Sequence, residues 1–394
     1  MTVALHDLQA PPLPATPPAA ASLSPAPVAT SPAGAPVRVA AEPWNAALAA
    51  EWDDFVRQAP GGTLFHLAGW RRVVEEVFGH RAHYLVARRG GTIAGVLPLF
   101  ELRSLLFGRS LVSVPYAIAG GIVSDHPEPA AAPGAPGANR ALLDAARALA
   151  GARRVDYLEL RSERPASPEL LTKDLYATFR ADLRQPEDEL QKRMDRKRRQ
   201  MLTYTAKAGY GIRHLAGEAA VRELPLFHRL FAQSMRRHGT PVYPRRFLAA
   251  VLAHFPGAAS LLLATHQGRT VGGLLNLVHR GVITPFYVGI EDAAARLRGL
   301  SEFLHWQALL WGREQGCQTY DFGRSKRGTG AFDYKQRWGM DEVPLAYQYH
   351  LVRARELPNV SPANPKYQAV IRLWQRLPLP VTRLLGPPLI KRIP

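Results

Sequence analysis

Cysteine is almost absent from this 394-residue chain. Cys317 stands alone, which excludes an intramolecular disulfide framework and a cysteine-cluster metal site and fits a reducing compartment. It reads as a small core residue. Long apolar runs are missing too: no stretch of ~18 uninterrupted apolar residues occurs, so no transmembrane helix is expected. Acidic residues number 32 against 50 basic ones, a formal charge of +18, and only eight of the 50 are lysine. An arginine-borne excess of this size favours an anionic partner or surface, whether nucleic acid, phosphoglycan or lipid headgroup. Specific DNA binding is not expected. His228, His254, His279 and His305 lack ligand spacing, so no metal site is expected, and no G-x-S-x-G elbow marks a hydrolase.

What is present points to a folded protein. Hydrophobic residues make up 47% and charged residues 21%, and the length suits two domains with a core each. Residues 1–40 are dominated by proline, alanine and serine, with Pro11, Pro12, Pro14, Pro17 and Pro18 early in the run. So many prolines break any helical or strand period, and this leader is expected to be disordered. It lacks the basic n-region and unbroken apolar h-region of a signal peptide. Four parts follow: the leader, a first domain over 41–185, a second over 186–355, and a proline-punctuated amphipathic tail over 356–394.

Helical spacing marks residues 44–57 and 69–78, and strands are expected at 83–87, 92–100 and 110–115. An alanine-, proline- and glycine-rich loop at 127–137, a helix at 139–151 and a strand at 155–160 complete this unit. The same order recurs: strands at 260–265, 270–279 and 282–288, a helix at 301–314, a strand at 319–322. Sliding the first meander onto the second puts Leu85 on Leu262, Ala87 on Ala264, Gly95 on Gly272 and Leu97 on Leu274. The following strands match at Tyr157 with Tyr320 and at Arg161 with Arg324. Equal order with matched positions reads as a duplicated α/β unit.

The stretch 317–338, C-Q-T-Y-D-F-G-R-S-K-R-G-T-G-A-F-D-Y-K-Q-R-W, concentrates the candidate chemistry. A short strand ends on Gly323, and Arg324, Ser325, Lys326 and Arg327 load the loop behind it with donors. Phe332, Tyr334 and Trp338 then alternate with Asp333, Lys335 and Arg337, a strand-like pattern that buries rings on one side and shows charges on the other. Arg324, Lys326 and Tyr334 are candidate substrate contacts, for an anionic or amide-bearing substrate. Tyr243, in the rigid turn H-G-T-P-V-Y-P at 238–244, is a fourth; the same turn also reads as plain punctuation.

The run Y-D-F-G-R-S followed by F-D-Y-K-Q-R-W-G resembles the C-terminal signature of FemAB-like proteins, relatives of the aminoacyl transferases that build peptidoglycan cross-bridges. P-Y-A-I-A-G-G-I at 115–122 and H-G-T-P-V-Y-P are similar to the branch associated with exosortase and PEP-CTERM exopolysaccharide systems, with its CelD/BioF-like domain. The resemblance spans roughly residue 43 to the C-terminus and implies an α/β (α+β) fold of two tandem GNAT (N-acetyltransferase)-like domains. It also implies acyl or aminoacyl transfer to an amine of a cell-envelope or exopolysaccharide precursor, with a glycan or peptidoglycan-type acceptor in the cleft between domains. No tightly bound cofactor is implied; acyl-coenzyme A or aminoacyl-tRNA is the co-substrate. Lys335 matches the family's Phe-x-x-Lys-like element beside the transfer centre. Asp321, at a strand end, is the candidate to orient or deprotonate the amine, and an internal pair of Lys335 with Asp333 or Asp321 is the competing reading. A-R-L-R-G-L-S at 295–301 is similar to the loop that holds the pyrophosphate of coenzyme A at a helix N-terminus, with Arg296, Gly299 and Ser301 in its slots; Ser301 as a plain N-cap competes.

Residues 187–208 read as one helix with acids in its first turn. Lys192, Arg193, Arg196 and Arg199 gather on one face as candidate polyanion contacts, for tRNA among others, and a solvated face is the alternative. The helical insertion of true cross-bridge enzymes is reduced here to this stretch. In the tail, Trp374, Leu377, Leu379 and Leu384 beside Arg372, Arg376 and Arg383 suit either an anionic membrane surface or packing on the second domain. The expected location is cytoplasmic, peripheral to the inner membrane face. A non-catalytic polyanion- or membrane-binding module on the same fold is the rival to an enzyme.

Overall fold

The computed structural model describes residues 37–104, 108–125, 137–358 and 365–393. Its first half runs β1 (Val37–Ala40), α1 (Ala46–Gln58), α2 (Ala68–Phe78), β2 (Arg81–Arg89), β3 (Thr92–Ser104), β4 (Gly108–Ser113), β5 (Val123–Ser124), α3 (Ala138–Ala152) and β6 (Tyr157–Ser162). After β7 (Leu171–Asp182), α4 (Glu187–Arg193) and α5 (Arg196–Thr205), the order is repeated. β8 (Tyr210–Ala216), α6 (Gly217–Arg237), α7 (Arg245–His254), β9 (Ala259–His266), β10 (Arg269–His279) and β11 (Val282–Ile290) lead to α8 (Leu300–Glu314) and β12 (Thr319–Asp321). The chain then forms β13 (Ser325–Lys326), α9 (Gly330–Gln336), β14 (Asp341–Leu351), α10 (Pro365–Arg376) and α11 (Leu379–Ile390).

One mixed sheet carries the strands in the order β1-β2-β3-β4-β6-β14-β7-β12-β11-β10-β9-β8, with β5 on β3 and β13 on β7. In each half an antiparallel meander is followed by a helix and a strand that returns parallel to the meander's last member, β4 with β6 and β11 with β12. The duplication seen in the sequence holds to the register. Leu85 faces Leu97 and Ala87 faces Gly95 in the first meander, while Leu262 faces Leu274 and Ala264 faces Gly272 in the second. The largest core joins the halves, packing Trp52, Trp70 and Phe100 of the first with Phe227, Phe247 and Leu263 of the second.

Close approach of α6 to the sheet depends on Gly289, where an added Cβ would lie 2.6 Å from the Phe231 nitrogen. Backbone cannot yield as a side-chain tip can. Gly289→Ala is therefore expected to cost about 1–3 kcal/mol by overpacking, read as a fall in the denaturation midpoint; an unchanged midpoint would show that α6 has room to shift.

Several expectations need correction. The end of the expected leader, Val37–Ala40, is a strand paired with β2; residues 1–36 and most of the 127–137 loop lie outside the described residues. The border at 186 leaves β7 in the first half, although it pairs with β12, β13 and β14 of the second. The helix expected over 187–208 is two helices, because Met194 is extended (ψ 153°) and Asp195 caps α5 by accepting from the Arg198 amide at 2.7 Å. In the aromatic alternation at 332–338, Phe332 and Tyr334 lie in the helix α9, capped by Thr329, and Trp338 follows its end, so the rings are not spaced by a strand.

Candidate active site

β11 and β12 pair at only two positions, Val282 with Thr319 and Ile283 with Tyr320. Beyond them the strands part. Gly323, at φ +75°, turns the chain away from β11, as a residue without Cβ can do at no steric cost, and β13 pairs with β7 instead. The gap is a cleft of about 290 Å³ whose walls include Tyr116, Tyr243, Tyr287, His305, Arg324 and Lys335, with Tyr334 beside them.

Lys335 reaches back from α9 to the turn after β12. Its Nζ donates to the carbonyls of Phe322 (2.7 Å), Gly323 (2.8 Å) and Arg324 (3.4 Å). Burial lowers its pKa to about 8, against the pull of Asp321. No pair with Asp333 or Asp321 forms; the ammonium clamps the turn. Arg324 is surrounded by protein yet keeps surface open to the cleft, its guanidinium 5.1 Å from the Tyr176 ring centroid and donating to the Tyr347 hydroxyl at 2.9 Å. Tyr347 passes the chain on to the Ile118 carbonyl at 2.5 Å.

The tyrosines are donors. Burial raises the pKa of Tyr116, Tyr243 and Tyr287, and the ring centroids of the last two lie 5.4 Å apart. Tyr334 is pushed to about 12 by burial, under the Arg198 guanidinium at 4.6 Å; its hydroxyl lies near Ser301 and Trp338 without completing a well-formed bond. His305 is 2.9 Å from the Tyr320 hydroxyl through Nδ1, and burial lowers its pKa to about 3, too weak a base at neutral pH. Phenols and cations therefore face the cleft, and no carboxylate is among its described lining residues.

Asp321 lies elsewhere. Its carboxylate accepts from Thr178, from the Gly323 amide (2.8 Å) and from Arg180 Nε (2.8 Å). A carboxylate with both oxygens so engaged holds the turn in place, and it is not among the described lining residues of the cleft. It borders a second cavity of about 560 Å³ between the halves, walled by His66 and Gly121 of the first and by Arg164, Arg180, His279 and Arg280. Burial holds His66 and His279 at about 4, so the positive charge there at neutral pH comes from arginine. Ile118 belongs to both walls.

The candidate phosphate loop precedes α8. Gly299, at φ +75°, is its N-cap, so Ser301 lies inside the helix and the N-cap reading of Ser301 is corrected. Arg296 is exposed and Gly299 buried. α5 packs across this end: a Cβ on Gly299 would meet Thr205 Cγ2 at 2.6 Å, and Glu302 in the first turn of α8 forms a buried ion pair with Arg198 of α5. Arg198, buried against α8, ties the two helices together.

The expected basic face is largely engaged. Lys192 pairs with Asp188 and Glu189, Arg193 with Asp341, and Arg199 donates to the carbonyls of Lys192 (3.0 Å) and Met194 (2.8 Å). Arg196 is exposed. Lys326 lies in β13 and lines neither cavity. The structure thus brings Tyr243, Arg324, Tyr334 and Lys335 together, and leaves Asp321, Lys326 and the α4–α5 arginines outside the cleft. Tyr116 and Tyr287 went unread, and His305 was read only as lacking metal-ligand spacing. The one local sign of Tyr116 is its place in P-Y-A-I-A-G-G-I, where it adopts φ +66°, a conformation uncommon for a bulky residue.

Residues 189–336 match the acetyltransferase (GNAT) domain family. An enzyme of the transferase class, on a fold of two tandem acetyltransferase-like halves, is what these features define. The resemblance to FemAB-like proteins holds in the fold: FemX is 15% identical, covering 85% of this chain and 100% of its own, with a TM-score of 0.58. The C-terminal domain of a putative lysylphosphatidylglycerol synthetase from Agrobacterium fabrum is 13% identical over 76% of this chain and 91% of its own (TM-score 0.51). A conserved protein of unknown function from Bacteroides thetaiotaomicron is 11% identical over 79% and 98% (TM-score 0.53). No curated protein matches the sequence.

Proposed function

We propose that the protein transfers an acyl group to an amine of a cell-envelope or exopolysaccharide precursor, with the reacting carbonyl in the cleft between β11 and β12. The observation that carries this reading is the parting of those strands over a cleft lined by protonated phenols, Arg324 and the Lys335-held turn. The amine nitrogen attacks the donor carbonyl, a C–N bond forms, the bond to the leaving group breaks, and the amine proton leaves to the leaving group or water. Tyrosine hydroxyls and Arg324 suit the developing oxyanion. With no free carboxylate in the lining, positioning of a neutral amine carries much of the catalysis. Lys335 and Asp321 act as positioning residues, Lys335 on the carbonyls of the turn and Asp321 on its amide.

The acceptor extends into the larger cavity, where Arg164 and Arg280 suit an anionic glycan or peptidoglycan-type precursor. Acyl-coenzyme A is the donor of this reading, its phosphates at Arg296, Gly299 and Ser301. Packing of α5 on Gly299 and Glu302 favours a second donor, aminoacyl-tRNA, which needs no diphosphate site there; Arg196 is then its contact. A cytoplasmic location at the inner membrane face belongs to the same reading, as does the exopolysaccharide link implied by the signature motifs.

The test is equilibrium binding of acetyl-coenzyme A and of charged tRNA at low and moderate salt, since attraction to a +18 chain fades with salt. Salt-resistant acetyl-coenzyme A binding, lost in Gly299→Val, is expected. Salt-resistant binding confined to charged tRNA would select the second donor, and failure of both would leave a binding module on this fold.

A further inference from the structure

Five of the eight large apolar side chains exposed among the described residues belong to the last two helices: Val370 and Leu373 on α10, Leu384, Leu385 and Leu389 on α11. Leu384 is 76% exposed. These helices are nonetheless firmly seated. On α11, Thr382, Gly386 and Ile390 are buried at four-residue spacing, which makes them one face of the helix. Ile390 enters the core shared by both halves, and Gly386 lies against Val242, whose nitrogen an added Cβ would meet at 2.8 Å. On α10 Trp374 is buried and Ile371 packs on Gly239. Leu384 therefore falls on the side turned away from the protein, with Leu385 and Leu389 exposed at its flanks, while Leu379 at the start of α11 packs on the core.

Charge says what covers them. From residue 357 to 394 no acidic residue occurs, while Lys366, Arg372, Arg376, Arg383, Lys391 and Arg392 do. Arg372, Arg376, Arg383 and Arg392 are exposed. An apolar helix face flanked by cations alone matches an anionic lipid surface, with acyl chains for the leucines and phosphates for the arginines. Among the described residues no helix is long and apolar enough to cross a membrane, so the contact is with one leaflet. We propose that α10 and α11 are a docking face for an anionic phospholipid surface.

The docking helix is tied to the cleft. Tyr116, a cleft residue, donates its hydroxyl to the Lys391 carbonyl at 3.1 Å and lies 2.7 Å from His80 Nε2. Gly386 touches Val242, the neighbour of Tyr243. Docking through α11 thus fixes the height of the cleft above the lipid and suits an acceptor carried on a lipid. The docking itself rests on the tail and stands apart from the chemistry assigned to the cleft.

Co-sedimentation of the full-length protein with vesicles tests this, using phosphatidylcholine alone and phosphatidylcholine mixed with phosphatidylglycerol at moderate salt. Binding to the mixed vesicles is expected, reduced about tenfold or more by Leu384→Asp with Leu389→Asp and likewise by Arg383→Glu with Arg392→Glu. Arg81→Glu with Arg269→Glu, exposed elsewhere, should leave it unchanged. All six side chains are exposed, and thermal melts equal to the parent's confirm folded variants. Absence of binding to anionic vesicles, or equal loss in the Arg81 and Arg269 variant, overturns the proposal. So does a dimer in solution that the leucine substitutions dissolve, which would assign the face to a second copy of the chain.

Discussion

Replacing Arg198 with methionine is expected to cost the fold about 3–5 kcal/mol, because it leaves the Glu302 carboxylate buried and unpaired. Arg198 is 8% exposed and Glu302 6%, and between them they hold α5 across the start of α8. Removing both charges is a smaller insult than removing one. Arg198→Met with Glu302→Gln should recover more than half of the loss, since no charge then remains out of water. Chemical denaturation of the parent and three variants, compared as a double-mutant cycle, measures the coupling. A loss below about 1 kcal/mol in Arg198→Met would mean that the pair behaves as a surface ion pair and that α5 lifts freely from the loop.

The second large effect is expected at Lys335. Three carbonyl acceptors call for the three donors of an ammonium, so the clamp on Phe322–Arg324 is complete only in the charged form. The ammonium fraction falls as pH rises through about 8. Donor turnover, followed as release of free thiol or deacylated tRNA, should therefore fall above that pH. Lys335→Arg keeps its charge throughout, and the break should vanish in it. Lys335→Met should lower kcat/KM by about 10²-fold, on the scale of losing a donor that shapes an oxyanion site, with no break near pH 8. A methionine variant within about threefold of the parent would show that the turn holds without the clamp.

Much of the fold was legible because it is written twice. The glycine and leucine positions that align the two meanders are facing pairs in the sheet, so the repeat in the sequence was a repeat in register. Most of what escaped had no local sign. β7 and β14 sit side by side at the centre of the sheet although their paired residues Leu171 and Tyr349 lie 178 positions apart in the chain. The break at Met194 was hidden because the helical period runs on through it, and the cap formed by Asp195 shows only in its bond to the Arg198 amide. At the site, the grouping of Arg324, Tyr334 and Lys335 on one cleft wall was legible because donors crowd one stretch. The partners of Asp321 were not legible, because sequence shows a carboxylate at a strand end but not Thr178 and Arg180, which come from β7 and occupy it. Tyr116 and Tyr287 come from distant loops and strands, and only the fold turns them to the same cleft.

Photo-crosslinking with a donor that carries a photoreactive acyl group, either on coenzyme A or on tRNA, locates the transferred group directly. Mass spectrometry should map the adducts to Tyr116, Tyr287 and the residues between Phe322 and Lys335, with competition by unlabelled donor. Adducts confined to the outer surface, or spread evenly and insensitive to competition, would contradict acyl transfer in the cleft between β11 and β12.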